Sequence, residues 1–81
     1  MEKKDLFIVT ETFMDLKKNS VNTFVAGVSW TLDGAKSILR ARYEYKLKLG
    51  YLKSNFKMDN WSWTYKHDYV LIRGEIHFAG I

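Results

Sequence analysis

A basic segment with interleaved tyrosines, residues 36–57, is the part of the sequence best suited to chemistry. It holds seven Lys and Arg residues against one acid, Glu44, and its net charge is +6. Residues 1–35 and 58–81 each have a net charge of −1, so the net charge of +4 of the chain arises in this segment. Lys and Arg release counterions from phosphates, and tyrosine rings stack on nucleobases. The basic segment therefore predicts an anionic partner.

The partner predicted by the basic segment is nucleic acid or a nucleoprotein. The alternative partner is an acidic surface of another protein, which would make the chain a protein-interaction module. A third interpretation is a solvated helix face that only keeps a small protein soluble. Such a face usually mixes charge signs, and here only Glu44 can form i,i+4 pairs, with Arg40 or Lys48. The candidate contact residues are Lys36, Arg40, Arg42, Tyr43, Lys46, Lys48, Lys53 and Lys57.

Residues suited to catalysis or metal binding are few. The sequence has no Cys, which excludes a thiolate ligand, a cysteine nucleophile and a disulfide. Glu11 and Asp15 could form a carboxylate pair, but acids beside a strand are commonly charges that protect a sheet edge. His67 and His77 match no spacing of a known metal motif. We therefore expect a non-enzymatic protein without a metal or a cofactor.

Aromatic residues at alternate positions, Trp61, Trp63 and Tyr65, have two interpretations. They could form a stacking platform or a hot spot for a protein partner. A small domain also needs large rings to fill its core, since each buries on the order of 150 to 250 Å². We favour the core for at least one of the two tryptophans, and for Trp63 ahead of Trp61 because it lies mid-strand. Trp30 is expected in the core as well.

The length and composition predict one compact domain, residues 1–81. With 81 residues the chain has room for a single core, and 47% hydrophobic residues are too many for a disordered tail. The lack of Cys fits a reducing compartment, so we expect the cytoplasm. No apolar stretch approaches the length of a membrane span, and a membrane is therefore not an expected partner.

The first half of the chain predicts a β-hairpin followed by a helix. Residues 5–14 and 21–30 are rich in β-branched and aromatic residues, and a polar turn lies between them. Strict alternation in the second strand would place Phe24, Ala26, Val28 and Trp30 on one face. Gly27 in this strand is a candidate for a β-bulge or for a close approach of the backbone.

The helix is predicted to begin at Thr31, whose hydroxyl can cap it, and to have Asp33 in its first turn. Apolar spacing supports a helix to about residue 42. Residues 43–49 fit a strand and a helix alike, and we favour one continuous helix to about Leu49, with Gly50 as the stop.

The second half predicts a loop, residues 51–60, and a second hairpin. Residues 61–66 and 69–78 alternate in hydrophobicity and are joined by a turn at His67 and Asp68. The expected fold class is therefore α+β, with the order β-β-α-β-β and an antiparallel four-stranded sheet that has one helix packed on a face. Such a sheet leaves an edge strand open, so a homodimer is a further expected assembly.

Two short stretches, residues 7–10 (FIVT) and 25–29 (VAGVS), lead into a helix whose first turn holds Asp33 and Ala35. This arrangement resembles small uncharacterised β-β-α-β-β proteins of phages and low-GC bacteria. It departs from their pattern at Gly34, where an acid would complete a capping box. The resemblance implies an accessory protein of a mobile element that binds a host component, similar in size to inhibitors of restriction or CRISPR systems. It assigns no site residue.

Overall fold

The helix packs across one face of an antiparallel sheet, as expected for an α+β fold. The structure is a computed structural model and describes residues 5–80. Within that range the strands run antiparallel in the order β2-β1-β5-β4-β3. The predicted fold class is confirmed, with five strands instead of four. The elements are β1 (Asp5–Asp15), β2 (Ser20–Ser29), α1 (Leu32–Lys48), β3 (Phe56–Met58), β4 (Ser62–His67) and β5 (Val70–Gly80).

The additional strand, β3, lies where the sequence predicted only a loop. A short 3-10 turn, Lys53–Asn55, precedes it, and its three residues pair with β4. The Phe56 ring packs against the rings of Tyr65 at 5.0 Å and Trp63 at 5.7 Å between centroids. Three residues are too few to show a period in the sequence. The aromatic packing of Phe56 against rings of β4 therefore defines this strand.

The helix begins at the predicted capping residue, Thr31. The Thr31 hydroxyl accepts a hydrogen bond from the Gly34 N–H at 3.0 Å, and the helix continues to Lys48. The prediction of one continuous helix through residues 43–48 is thus confirmed. A Cβ atom at Gly34 would collide with the Ser29 hydroxyl, which explains why no acid completes a capping box there. No helix among residues 5–80 is long and apolar enough to cross a membrane.

A β-bulge in β2 changes which residues share a face. The pairing register with β1 shifts at Ala26, which has no partner of its own. As a consequence Val25 and Val28 both lie on the face away from the helix, while Phe24 lies on the helix face. The predicted grouping of Phe24 with Val28 was wrong, because strict alternation does not hold across an inserted residue.

The core lies between α1 and the sheet, and Trp63 is at its centre. Trp63 is 0% exposed, and its Nε1 donates a hydrogen bond to the Leu39 carbonyl oxygen at 3.0 Å. A Cβ at Gly74 would lie 2.5 Å from the Trp63 ring, so only glycine leaves room for it. The buried hydrophobic residues are Phe7, Val9, Ala35, Leu39, Trp63, Tyr65, Ile72 and Ile76.

The other two tryptophans are partly exposed. Trp61 is 38% exposed and packs edge-on against Phe7, with 6.0 Å between ring centroids. The favoured burial of Trp63 is thus confirmed. The prediction that Trp30 is in the core was wrong: it is 60% exposed, because β2 ends at Ser29 and Trp30 lies in the connection to the helix.

Truncating Trp63 should be far more damaging than truncating Trp61. Trp63→Ala removes a fully buried ring and its hydrogen bond, and we expect it to lower the free energy of unfolding by about 3 to 5 kcal/mol. Trp61→Ala should cost at most about 1.5 kcal/mol, because its ring remains in partial contact with water. Urea denaturation of the two variants and the wild type measures the difference. Equal losses in both variants would contradict the assignment of Trp63 as the central core residue.

Candidate binding surface

A row of charged side chains on the outer side of α1 contains three of the exposed cations of the basic segment. Lys36, Arg40, Glu44 and Lys48 are four residues apart and all exposed. Residues at this spacing follow one another along one side of a helix, with a rise of about 6 Å from each to the next. We call these four residues the α1 ridge.

The single acid of the α1 ridge is engaged with its neighbour. Arg40 Nε lies 3.1 Å from Glu44 Oε1, and both side chains are more than half exposed. An exposed i,i+4 pair contributes only about 0.3 to 0.5 kcal/mol, so Arg40 can exchange Glu44 for another anion at little cost. None of the ion pairs among residues 5–80 involves Lys36 or Lys48. The ridge therefore presents three cations and one acid to solvent.

Two of the predicted contact residues, Arg42 and Lys46, lie under the helix and not on its outer side. Both bind the carboxylate of Glu11, a residue of β1 that is only 2% exposed. Arg42 Nε lies 3.0 Å from Glu11 Oε1, Arg42 donates a second hydrogen bond of 3.2 Å to Oε2, and Lys46 Nζ lies 2.9 Å from Oε2. A buried carboxylate needs such partners because its charge has lost contact with water. This placement removes Arg42 and Lys46 from the candidate surface.

The Glu11 carboxylate is held in its charged form. Burial by itself raises the pKa of Glu11, but the hydrogen bonds and positive charges of Lys46 and Arg42 lower it by more. The resulting pKa lies below the ordinary value of 4.5. The hydrogen bond to Glu11 in turn raises the pKa of Arg42. The three charges therefore form one ionic cluster that ties α1 to the sheet.

Three further predicted residues are dispersed. The Tyr43 ring packs edge-on against Phe56, with 4.9 Å between centroids, so it is part of the packing beneath the helix. Lys57 follows Phe56 on β3 and points by alternation to the sheet face opposite the helix. Lys53 is exposed in the 3-10 turn that follows α1. Of these three residues, only Lys53 is both exposed and next to the end of α1 in the sequence.

A shallow cleft brings two residues of the α1 ridge together with the connection between β3 and β4. Its volume is about 170 Å³, and Lys36 and Arg40 line one wall. Asp59 and Asn60 line the other wall. Two cations and an amide can hold an anionic group such as a phosphate or a carboxylate, while the Asp59 carboxylate opposes a high negative charge. The remaining lining residues are Leu39, Met58 and Trp63.

Sequence reasoning missed the ionic cluster, although a signal for it was present. Glu11 occupies an inward position of β1, between Val9 and Phe13 in the alternation. An acid at such a position is expected to find cationic partners. Its interpretation as an edge charge was wrong, since β1 lies inside the sheet.

The open face of the sheet carries a polar network on β5, whose residues Arg73, Glu75 and His77 share one face by alternation. Glu75 on β5 lies 3.0 Å from Arg73 and 3.4 Å from His77, and His77 is 3.0 Å from the Thr10 hydroxyl. Arg73 also donates to the Thr64 hydroxyl at 3.0 Å. In the described part of the chain no group of three or more His, Cys, Asp and Glu residues is arranged to hold a metal ion.

Comparison with known proteins assigns no family and no function to this chain. Comparisons with protein-family models, with curated proteins and with solved structures found no match. The resemblance to small phage and bacterial proteins stays a prediction, and the function has to be argued from the surface itself.

Removing the Glu11 carboxylate should destabilise the fold. We expect Glu11→Gln to lower the free energy of unfolding by about 2 to 4 kcal/mol, because it leaves two cations under the helix without their counter-charge. The loss should fall below that of a fully buried pair, since the Arg42 side chain is 29% exposed. Glu44→Gln is the matched control, and it should cost no more than about 0.5 kcal/mol. Urea denaturation near neutral pH measures both; a Glu11→Gln loss as small as that of the control would contradict the role of the cluster.

The contribution of Glu11 should also depend on pH. Its pKa is lowered in the folded protein, so its stabilising effect is present above the ordinary pKa of 4.5 and is lost as the pH falls through the lowered value. The difference in unfolding free energy between the wild type and Glu11→Gln should therefore be full near pH 7 and shrink in acid. A difference that grows on acidification would contradict the lowered pKa.

Proposed function

We propose that this chain is a small non-enzymatic protein of the cytoplasm, of the accessory type encoded by mobile elements, that binds nucleic acid or a nucleoprotein. The binding surface is the α1 ridge together with Lys53. One observation supports this assignment most: Lys36, Arg40 and Lys48 repeat along the exposed side of the helix with a single, weakly held acid among them.

Recognition at this surface would rest on charge. Lysine and arginine side chains on a helix neutralise phosphates along a backbone without contacting the base edges that carry sequence information. Each phosphate contact contributes a slope of about −0.7 to −0.9 in a plot of log affinity against log salt. With four cations at the surface, the affinity should be modest and strongly dependent on salt. The cleft beside Lys36 and Arg40 offers a place for one anionic group.

A protein with an acidic surface is the second candidate partner, and exposed apolar residues at the end of the helix favour it. Tyr45, Leu49 and Leu52 are each roughly half exposed or more, next to Lys48 and Lys53. A phosphate backbone makes little use of such side chains, whereas the centre of a protein interface is apolar. Retention of a partner after nuclease digestion would favour this candidate over nucleic acid.

Charge reversal at the proposed surface should abolish most of the binding. The triple variant Lys36, Lys48, Lys53→Glu removes three phosphate contacts, and we expect an affinity loss on the order of tenfold or more at low salt. The magnitude of the salt slope should fall by about 2 to 3, close to one per lysine. Titrations of the wild type and the variant against labelled single-stranded and duplex DNA and RNA, at two salt concentrations, measure both quantities.

The matched control reverses three lysines elsewhere. Lys17, Lys18 and Lys66 are exposed outside the basic segment, and their replacement by Glu changes the net charge by the same amount. This control should weaken binding only through the long-range field and leave most of the salt slope in place. Equal effects of the two triple variants would contradict a localised surface. Absence of wild-type binding to all four nucleic acids at low salt would eliminate nucleic acid as the partner.

A further inference from the structure

Within residues 5–80, no other strand pairs with the outer edge of β2. This strand is ten residues long and forms one border of the sheet. Its sequence, SVNTFVAGVS, has no charged residue and no proline. Natural sheets usually protect such an edge with lysine, proline, a short strand or a cover, because its free N–H and C=O groups can pair with another strand. The opposite border has such protection, since β3 has three residues and includes Lys57.

Exposed apolar side chains are gathered along β2 on both faces of the sheet. Val21, Val25 and Val28 lie on the open face, and each is more than half exposed. Phe24 lies on the helix face and is 45% exposed, with the Arg42 guanidinium 5.4 Å from its ring centroid. A partner strand that continues the sheet would contact the apolar side chains on both faces of this border strand. A partner that covers a single face would leave those on the other face exposed.

We propose that β2 pairs antiparallel with β2 of a second copy of this chain, around a two-fold axis at Thr23. The absence of charge on β2 permits a second copy as the occupant. Two chains with a net charge of +4 repel each other, so a contact between copies needs an uncharged strand, and among the strands of residues 5–80 only β2 has no charged side chain. An isologous contact requires a self-complementary surface, which this strand has.

The sequence around Thr23 fixes the register of the pairing. With Thr23 opposite its own copy, Val21 lies opposite Val25 of the second chain, and both lie on the open face. A shift of the axis to Asn22 or Phe24 would place Val21 and Val25 opposite non-valine residues such as Asn19, Thr23 or Gly27, and shifts that pair residues of opposite faces are excluded by the pleat. The bulge at Ala26 ends the regular part of the edge, so the symmetric pairing around Thr23 is confined to residues 21–25.

The pairing would give the dimer one continuous sheet with both helices on the same side. A two-fold axis between antiparallel edge strands runs perpendicular to the sheet, and it therefore preserves the faces. The two α1 ridges would then share one side of the assembly. The inference does not depend on what the ridges bind, because it rests on β2 alone.

A cysteine placed on the proposed axis tests the register. The chain has no Cys, so Thr23→Cys introduces the sole thiol. Its Cβ should lie about 4.5 to 5.5 Å from that of its copy, and mild oxidation should give a covalent dimer. Val21→Cys is the matched control on the same face: its copy would be four residues away along the strand, about 13 Å, and should not cross-link. Cross-linking of Val21→Cys as efficient as that of Thr23→Cys, or none in Thr23→Cys, would overturn the register.

A charge placed on the edge tests the pairing itself. Sedimentation analysis of the wild type should show a dimer, and Val25→Lys should be a folded monomer, since the side chain is exposed. The thermal unfolding midpoint of this variant should match that of the wild type only at low protein concentration, because dimerisation raises the wild-type midpoint as the concentration increases. Leu16→Lys is the control, because Leu16 is similarly exposed but lies in the turn beyond β1; this variant should remain a dimer. A monomeric wild type, or a Val25→Lys protein as dimeric as the wild type, would overturn the inference. A dimer that binds no nucleic acid would leave it intact and refute only the proposed function.

Discussion

The buried carboxylate of Glu11 is the constraint around which the rest of this small protein is arranged. It lies on an inward position of β1, where water cannot reach it, and two cations from α1 must therefore come to it. This requirement fixes the rotation of the helix about its axis. Once Arg42 and Lys46 point at the sheet, the residues at 36, 40, 44 and 48 must point outward. The composition of the outer surface is thus a consequence of one charge in the core.

The same constraint explains why a strongly basic segment yields only a moderate basic surface. Of its seven cations, two neutralise Glu11 and one lies on the opposite face of the sheet. The net charge of a sequence determines the long-range electrostatic field of the protein. It does not show how many of the charged side chains lie at the surface and can contact a partner. The tyrosines show the same pattern, because Tyr43 and Tyr51 are engaged with aromatic rings of β3 and β4.

The sequence predicted those features of the fold that depend on local patterns. Alternation in β5, the Thr31 cap and the helical spacing after Ala35 each act within a few residues, and the structure agrees with them. The failures involve features that local patterns show poorly. The partner of Arg42 is 31 residues away, β3 has only three residues and depends on packing against rings of β4, and the bulge at Ala26 is indicated in the sequence only by the neighbouring Gly27. The sequence therefore predicted that the candidate surface is basic, but not which residues form it.

The position of β5 has a consequence for how the chain acquires this structure. β5 pairs along its whole length with β1, so that Phe7 lies beside Phe78, which is 71 residues further along the chain. The two hairpins and the helix can form from neighbouring residues, but the central ladder joins residues separated by most of the chain. Topologies dominated by such distant pairings fold in milliseconds to seconds, more slowly than helical proteins of the same size. On a ribosome, β1 has to wait for the last strand to emerge, and until then its inner edge is as open as that of β2.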